Sequence, residues 1–231
     1  CPGRRGRLRT CKRKVAMLSV LTDNWRLFVD GFWTTIRLFV VAGVFSLVLG
    51  TVLAGFRVSP VPALRGFGTG YVNIVRNTPL TLVFAFLVFG APKMQIQLPS
   101  YFWSAVTALT IYTSAFICEV VRSGINTVAP GQSEAARAVG MTFLQVLRIV
   151  VLPQAFRAIV PPLTSVLIAL LKNTTIAAGF SVAEAGAIPA VMAERGENQV
   201  LTLVWITIGF LIAIIPLVFL QRWAERRTAV A

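Results

Sequence analysis

Long apolar stretches alternate with short basic ones along this chain. Phe32–Phe56 is apolar apart from Arg37, Thr78–Ala91 is shorter, and Tyr101–Val121, Ala158–Phe180 and Val200–Leu220 follow. A helix rises about 1.5 Å per residue, so about 20 apolar residues are needed to cross a hydrocarbon layer about 30 Å thick. The second run reaches that length only if Tyr71–Asn77 joins it. The pattern predicts an all-α, polytopic membrane protein with about five transmembrane helices. Before the first run, Leu18–Val29 carries Asp23, Arg26 and Asp30 in a modestly amphipathic stretch, expected to lie along the outer surface.

The prolines mark breaks in this pattern. Pro79 sits just inside the second run, Pro161 and Pro162 in the fourth, and Pro216 in the fifth. A proline inside a membrane helix frees backbone carbonyls that neighbours or water must satisfy, and interrupted helices often line a substrate path. Ordinary packing kinks are the other reading.

Basic residues in the loops set an expected orientation. Arg57, Arg65 and Arg76 follow the first run. Arg122, Arg137, Arg148 and Arg157 follow the third, and Arg222, Arg226 and Arg227 the fifth. The other loops hold Lys93, and then Lys172 and Arg195 beside Glu184, Glu194 and Glu197. The loops after runs one, three and five therefore face the cytoplasm, with the N-terminus outside and the C-terminus inside. The basic segment at the start, with Arg4, Arg5, Arg7, Arg9, Lys12, Arg13 and Lys14, contradicts that orientation. It would suit a nucleic-acid arm, a lipid-binding patch, or a stretch upstream of the true start. The last is expected, because Met17 reads as a natural opening. Residues 1–16 are thus a basic extension and 17–231 one membrane domain, with no nucleic-acid partner.

Composition agrees with a lipid environment. The chain is 56% hydrophobic and 13% charged, with a mean hydropathy of +0.78, whereas an average soluble domain is about 25% charged. It contains no histidine, which removes imidazole acid–base chemistry, Ser-His-Asp triads and most zinc sites. Cys1, Cys11 and Cys118 have no metal-ligand spacing, and Cys118 reads as a small core residue. No catalytic constellation and no metal site is expected.

The chemistry lies in the central cytoplasmic loop. Gly131-Gln132-Ser133-Glu134-Ala135-Ala136-Arg137-Ala138-Val139-Gly140 is followed by Met141–Val151 and Leu152-Pro153. It reads as a short helix, a break and a second helix. Ser133 is placed to cap the first helix, with Glu134 near its positive end. Ala135 and Ala136 give helix propensity without bulk, Gly140 permits a left-handed stop, Thr142 caps the next helix, and Pro153 follows its last turn. A slim helix of this kind suits insertion into a partner's groove.

The spacing Glu-Ala-Ala, three residues, Gly, nine residues, an aliphatic residue, one residue, Leu-Pro resembles the EAA coupling loop of bacterial ABC importer permeases, with Val150 where Ile is usual. Arg76-Asn77-Thr78-Pro79-Leu80 is similar to the entry to helix 2 in the polar amino-acid (His/Glu/Gln/Arg) permeases. Glu119-x-x-Arg122-Ser123-Gly124-Ile125 with Gly131-Gln132, and Lys172-Asn173-Thr174-Thr175-Ile176, resemble two further elements of that family. Arg57–Val61, Val75–Leu82 and Ser123–Thr127 look closest to actinobacterial glutamate-uptake permeases. The resemblance covers about Met17 to the end.

The resemblance implies a five-helix permease pairing with a second permease, two cytoplasmic ATPase subunits and an extracellular solute-binding protein, in the cytoplasmic membrane. The chain lacks a Gly-rich loop ending Gly-Lys-Ser/Thr. It is therefore expected to be no enzyme and to bind no cofactor of its own, with ATP and Mg used by the partner ATPase. An ion-coupled secondary amino-acid carrier is the alternative, although no internal repeat supports it.

Polar residues inside membrane runs are candidates for the substrate path. Asn173, Thr174 and Thr175 fall in the outer part of the fourth run, with Lys172 beside them and Glu184 just beyond. Lys172 either attracts a substrate carboxylate or snorkels to the interface. Glu119 and Arg122, three apart on one helix face, are expected to pair as a support for the loop or as an inner gate, and Arg76, Thr78 and Pro79 to do similar work.

Overall fold

The computed structural model describes residues 19–228, so the basic extension 1–16 lies outside the described residues. A helical turn over residues 19–23 leads into α1 (Trp25–Val58), α2 (Pro62–Asn77) and α3 (Leu80–Ala85). α3 continues through a π-helical turn, Phe86–Gly90, and a 3-10 turn, Ala91–Met94. Then come α4 (Tyr101–Asn126), α5 (Pro130–Ala138), α6 (Phe143–Gln145) and α7 (Leu152–Asn173), with α8 (Ile188–Glu194) and α9 (Gln199–Thr228) last. Among the described residues there are no strands.

Four helical segments are long and apolar enough to cross a membrane, and a fifth span results if α2 and α3 act together. They do not form a straight helix, because the chain turns by 102° between them. Thr78 is extended, at φ −96° and ψ 129°, and its hydroxyl donates to the Ile74 carbonyl. The ring of Pro79 disfavours helical geometry in the residue before it and supplies no N–H to continue α2. Pro79 therefore stands before a new helix rather than just inside one.

The first span begins earlier than the apolar run. Residues 25–29, expected to lie on the surface, form the first turns of the 34-residue α1. Its buried positions include Gly31, Thr35, Ala42, Ser46, Gly50 and Ala54, a stripe of small residues at helical spacing. Without a hydrophobic drive between helices in lipid, such stripes bring backbones close. A Cβ on Gly50 would stand 2.7 Å from Ile117 Cβ and 2.9 Å from the Ser114 carbonyl oxygen, so α1 and α4 touch nearly backbone to backbone.

Around this pair the core forms in three clusters. Leu38, Phe84, Leu109 and Leu170 join α1, α3, α4 and α7. Leu53, Val72, Ala115 and Cys118 join α1, α2 and α4. Phe28, Ile188, Met192 and Ile206 hold α8 and α9 to the N-terminal end of α1. α9 also packs along α7, with Gln221 donating to Ser165, and exposes the rest of its apolar surface, including Leu211, Ile212 and Phe219, as lipid-facing helices do.

Candidate functional site

α5 starts three residues before the expected cap. Ala129 occupies the N-cap position and Pro130 the first turn, where its fixed φ suits helix entry and its missing N–H costs nothing. Ser133 is no cap; its hydroxyl donates to the Pro130 carbonyl at 2.7 Å. The C-terminal end matches the expectation. Gly140 has φ +89°, its N–H donates to the Arg137 carbonyl, and the Met141 N–H reaches back to the Ala136 carbonyl. This is a Schellman closure, which needs a residue free to adopt positive φ.

Glu134, Ala135 and Val139 face outward, whereas Ala136 is buried on the inner side of α5. The small side chains thus serve two contacts, Ala136 with the chain's own helix and Ala135 with the exterior. Gly131 leaves the first turn of α5 uncovered. Gln132 Oε1 accepts from Gln154 Nε2 at 2.8 Å, tying α5 to α7.

Thr142 and Gln145 form a reciprocal cap on the following helix. The Thr142 N–H donates to Gln145 Oε1 at 2.8 Å, and the Gln145 N–H points to Thr142 Oγ1 at 3.5 Å. From there no break follows. α6, a π-helical stretch Val146–Val151 and α7 run on continuously, so Leu152 and Pro153 do not end a helix but begin the regular part of a long one. A proline in an α-helix loses a hydrogen bond and its ring crowds the carbonyl one turn back; the wider π turn just before Pro153 accommodates both.

Where α1, α2 and α4 meet, the expected Glu119–Arg122 pair does not form. Glu119 instead accepts from Arg76 Nη1 of α2 and, at 3.4 Å, from Arg57 Nη1 of α1. The carboxylate lies on the side of α4 that meets α1 and α2, where two cations arrive from the helix ends. Arg57 is 8% exposed at its side chain and Arg76 42%. Arg122 makes no ion pair among the described residues and lines a polar cavity of about 440 Å³ with Glu119, Ser123, Asn126 and Pro162.

The candidates from Lys172 to Glu184 separate into two places. The regular helix ends at Asn173, and Thr174–Phe180 tightens into a 3-10 helix. The hydroxyls of Thr174 and Thr175 donate to the carbonyls of Leu171 and Lys172. Asn173 lines a cavity of about 210 Å³ with Tyr112, Thr113, Phe116, Val166 and Ala169, while Lys172 is exposed. Glu184 lines neither cavity. It is 1% exposed and caps the turn Ala185–Ala187, taking the Gly186 N–H on Oε1 at 2.7 Å and contacting Thr35 Oγ1 through Oε2 at 2.9 Å. Burial pushes its carboxyl up to about 7.

Sequence reasoning missed Arg57, Thr35 and Phe116 as site-forming residues. Arg57 ends an apolar run, where a cation reads as an interfacial anchor. Thr35 shares the spacing of the small-residue stripe, which is its only signal. Phe116 is one aromatic among 16 phenylalanines and carries none.

Residues 46–230 match the family described as the binding-protein-dependent transport system inner membrane component. The chain is similar to the glutamate transport system permease protein of Corynebacterium efficiens, at 43% identity over 87% of this chain and 93% of that one. It is also similar to the probable glutamine ABC transporter permease protein of Bacillus subtilis, at 42% identity over 69% of this chain and 73% of that one. Among solved structures, an amino acid ABC transporter crystallised with histidines superposes with a TM-score of 0.83 at 27% identity, covering 90% of this chain and 97% of that one.

Proposed function

This chain belongs to the binding-protein-dependent inner membrane components and is the permease subunit of an ABC amino-acid importer; from that premise we propose that the amino acid it carries is glutamate. The likeness to a glutamate permease over nearly its whole length carries this reading. A glutamine relative at similar identity over a shorter span makes glutamine the competing substrate.

The proposed assembly pairs this chain with a second permease above two ATPase subunits, with a solute-binding protein delivering substrate outside. The N-terminus is outside and the C-terminus inside, following the basic loops. α5 is the contact for the ATPase, which handles ATP and its magnesium; this chain supplies no cofactor. The exposed Glu134 and Ala135, the glycine stop at Gly140 and the reciprocal cap at Thr142 make α5 a short rigid body. It joins α4 through residues 127–129 on one side and the long helix of α6 and α7 through the turn at 139–142 on the other. A displacement of α5 therefore acts on both, since the helical backbone is continuous from Phe143 to Asn173. In this reading Asn173, Lys172, Thr174 and Thr175 belong to the outer part of the path, and Arg76, Glu119 and Arg122 to its inner end.

Competition of labelled glutamate uptake by glutamine, aspartate and arginine, in cells with and without this chain, tests the substrate. Glutamate uptake is expected to depend on the chain and to be competed by excess unlabelled glutamate more strongly than by glutamine or arginine. Unchanged glutamate uptake without the chain, with glutamine uptake lost, would reassign the substrate.

A further inference from the structure

The two cavities described above lie on one track. On α4, Tyr112, Phe116, Glu119, Ser123 and Asn126 recur at alternating spacings of four and three and so share one helix face. On α7, Pro162, Val166, Ala169 and Asn173 do the same. The outer cavity takes Phe116 and Val166, and the inner one takes Glu119 and Pro162. The track is thus interrupted within a single helical turn on both walls, about 5 Å of rise.

Phe116 stands at that interruption and is held from two sides. Its ring lies 5.1 Å from that of Tyr112, centroid to centroid, and the Arg76 guanidinium stands 5.4 Å from its centre. Arg76 is in turn fixed by Glu119, one turn below Phe116 on the same helix. A cation over an aromatic face is attracted by the ring's negative π cloud, so the ring has a preferred seat without being buried. Its two walls, α4 and α7, are the two helices attached to α5.

We propose that Phe116 is the inner gate of the amino-acid path, an aromatic plug seated by Arg76 between an outer chamber containing Asn173 and an inner chamber containing Arg122, Ser123 and Asn126. The outer chamber has room for one small amino acid and offers the Asn173 amide. The inner chamber offers a guanidinium, a hydroxyl and an amide, which suit the carboxylates and ammonium of an amino acid leaving toward the cytoplasm. Movement of α5 changes the separation of α4 and α7 at the level of the ring, and the ring leaves its seat on Arg76. This rests on the reading that the chain translocates an amino acid.

The test uses the complete transporter in inside-out membrane vesicles, with Asn173→Cys as a reporter and a membrane-impermeant thiol reagent on the cytoplasmic face. Labelling of the reporter without ATP is expected to be slow with Phe116 present and at least tenfold faster with Phe116→Ala; the same chain without the reporter gives the background. Phe116→Tyr is expected to label slowly, and Arg76→Gln, which keeps the ring but unseats it, at an intermediate rate. ATP-independent exchange of labelled amino acid, measured in the same Phe116 and Arg76 variants with Asn173 intact, is expected to rise with the labelling. Where Phe116→Ala does not copurify with the ATPase, Phe116→Leu takes its place. Equal labelling rates for the parent and the small-residue variant in an intact assembly would overturn the gate. Fast labelling without exchange of glutamate would keep the gate and overturn the substrate reading.

Discussion

Thr35 and Glu184 lie 149 positions apart in the chain and meet through Oγ1 and Oε2 at 2.9 Å. Thr35 Oγ1 also accepts the Ala185 N–H at 3.0 Å, and the Gly31 carbonyl lies 3.1 Å from the same hydroxyl. A protonated Glu184 donates to Thr35, which then donates to Gly31; an ionised Glu184 takes the Thr35 proton instead. Both states keep the turn after the 3-10 helix joined to α1, but burial favours the neutral one.

A pH dependence follows from that preference. The Glu184 carboxyl is raised from an ordinary 4.5 to about 7 by burial, so the folded chain holds the proton more tightly than the unfolded chain does. This contribution to stability is complete below the ordinary value and is lost as pH rises through about 7, on the order of 3 kcal/mol in all. Thermal unfolding of the purified transporter in detergent should shift to lower temperature between pH 5 and pH 8. Glu184→Gln, which stays neutral and can still accept from Gly186 and donate to Thr35, should flatten that slope. Glu184→Ala should lower stability at every pH.

The inner ion cluster gives an asymmetric expectation. Arg57 is nearly enclosed and Arg76 is largely open, and both depend on Glu119. Glu119→Ala leaves a buried guanidinium without a counter-charge and should cost about 1–3 kcal/mol, below the range for a fully buried pair because the carboxylate is one-third exposed. Arg76→Ala should cost less than 1 kcal/mol, roughly the value of an exposed pair. Comparing detergent unfolding midpoints of the two variants checks the order.

How far the sequence carried these features depends on the range of the interaction. The apolar runs and the loop Glu134–Gly140 are local patterns, and lipid leaves few alternatives to helices, so both were legible. The helix stop at Gly140 needed only the chemistry of one residue. The bend at Thr78 was only half legible: proline signalled a break, but the angle depends on where α2 packs beneath α1. Glu119 was assigned to Arg122 because the two are near in sequence, whereas the partners come from two other helices. The contact of Glu184 with Thr35 has no local signal either, since the two lie 149 positions apart.

The proposed coupling through α5 depends on the backbone at Gly140. At φ +89° a side chain is strained, and Gly140→Ala should cost about 1–2 kcal/mol locally, with Gly140→Asn milder. The Schellman closure would loosen while the membrane helices remain in place. Membrane insertion should stay near normal while ATP-driven uptake falls severalfold. In proteoliposomes, ATP hydrolysis stimulated by the loaded binding protein should fall in parallel, which separates lost coupling from lost substrate binding.

The close approach of α4 and α7 beside the inner chamber supplies the last expectation. A Cβ on Gly124 would overlap the Ile159 side chain and stand 3.2 Å from the Ala155 carbonyl oxygen. Both positions lie on α7 within two turns of Pro153, where the long helix enters the bundle. Gly124→Ala should force the two helices apart there and cost about 1–3 kcal/mol, the usual range for overpacking. Because the obstructing group is mostly a side chain, Ile159→Ala in the same chain should recover much of the loss. A double-mutant cycle read by unfolding temperature and by uptake checks this, since neighbours that share one space are not additive. If the second substitution worsens both readouts, the contact is not the cause. If it restores folding but not uptake, the spacing of α4 and α7 at Gly124 matters to transport beyond its part in stability.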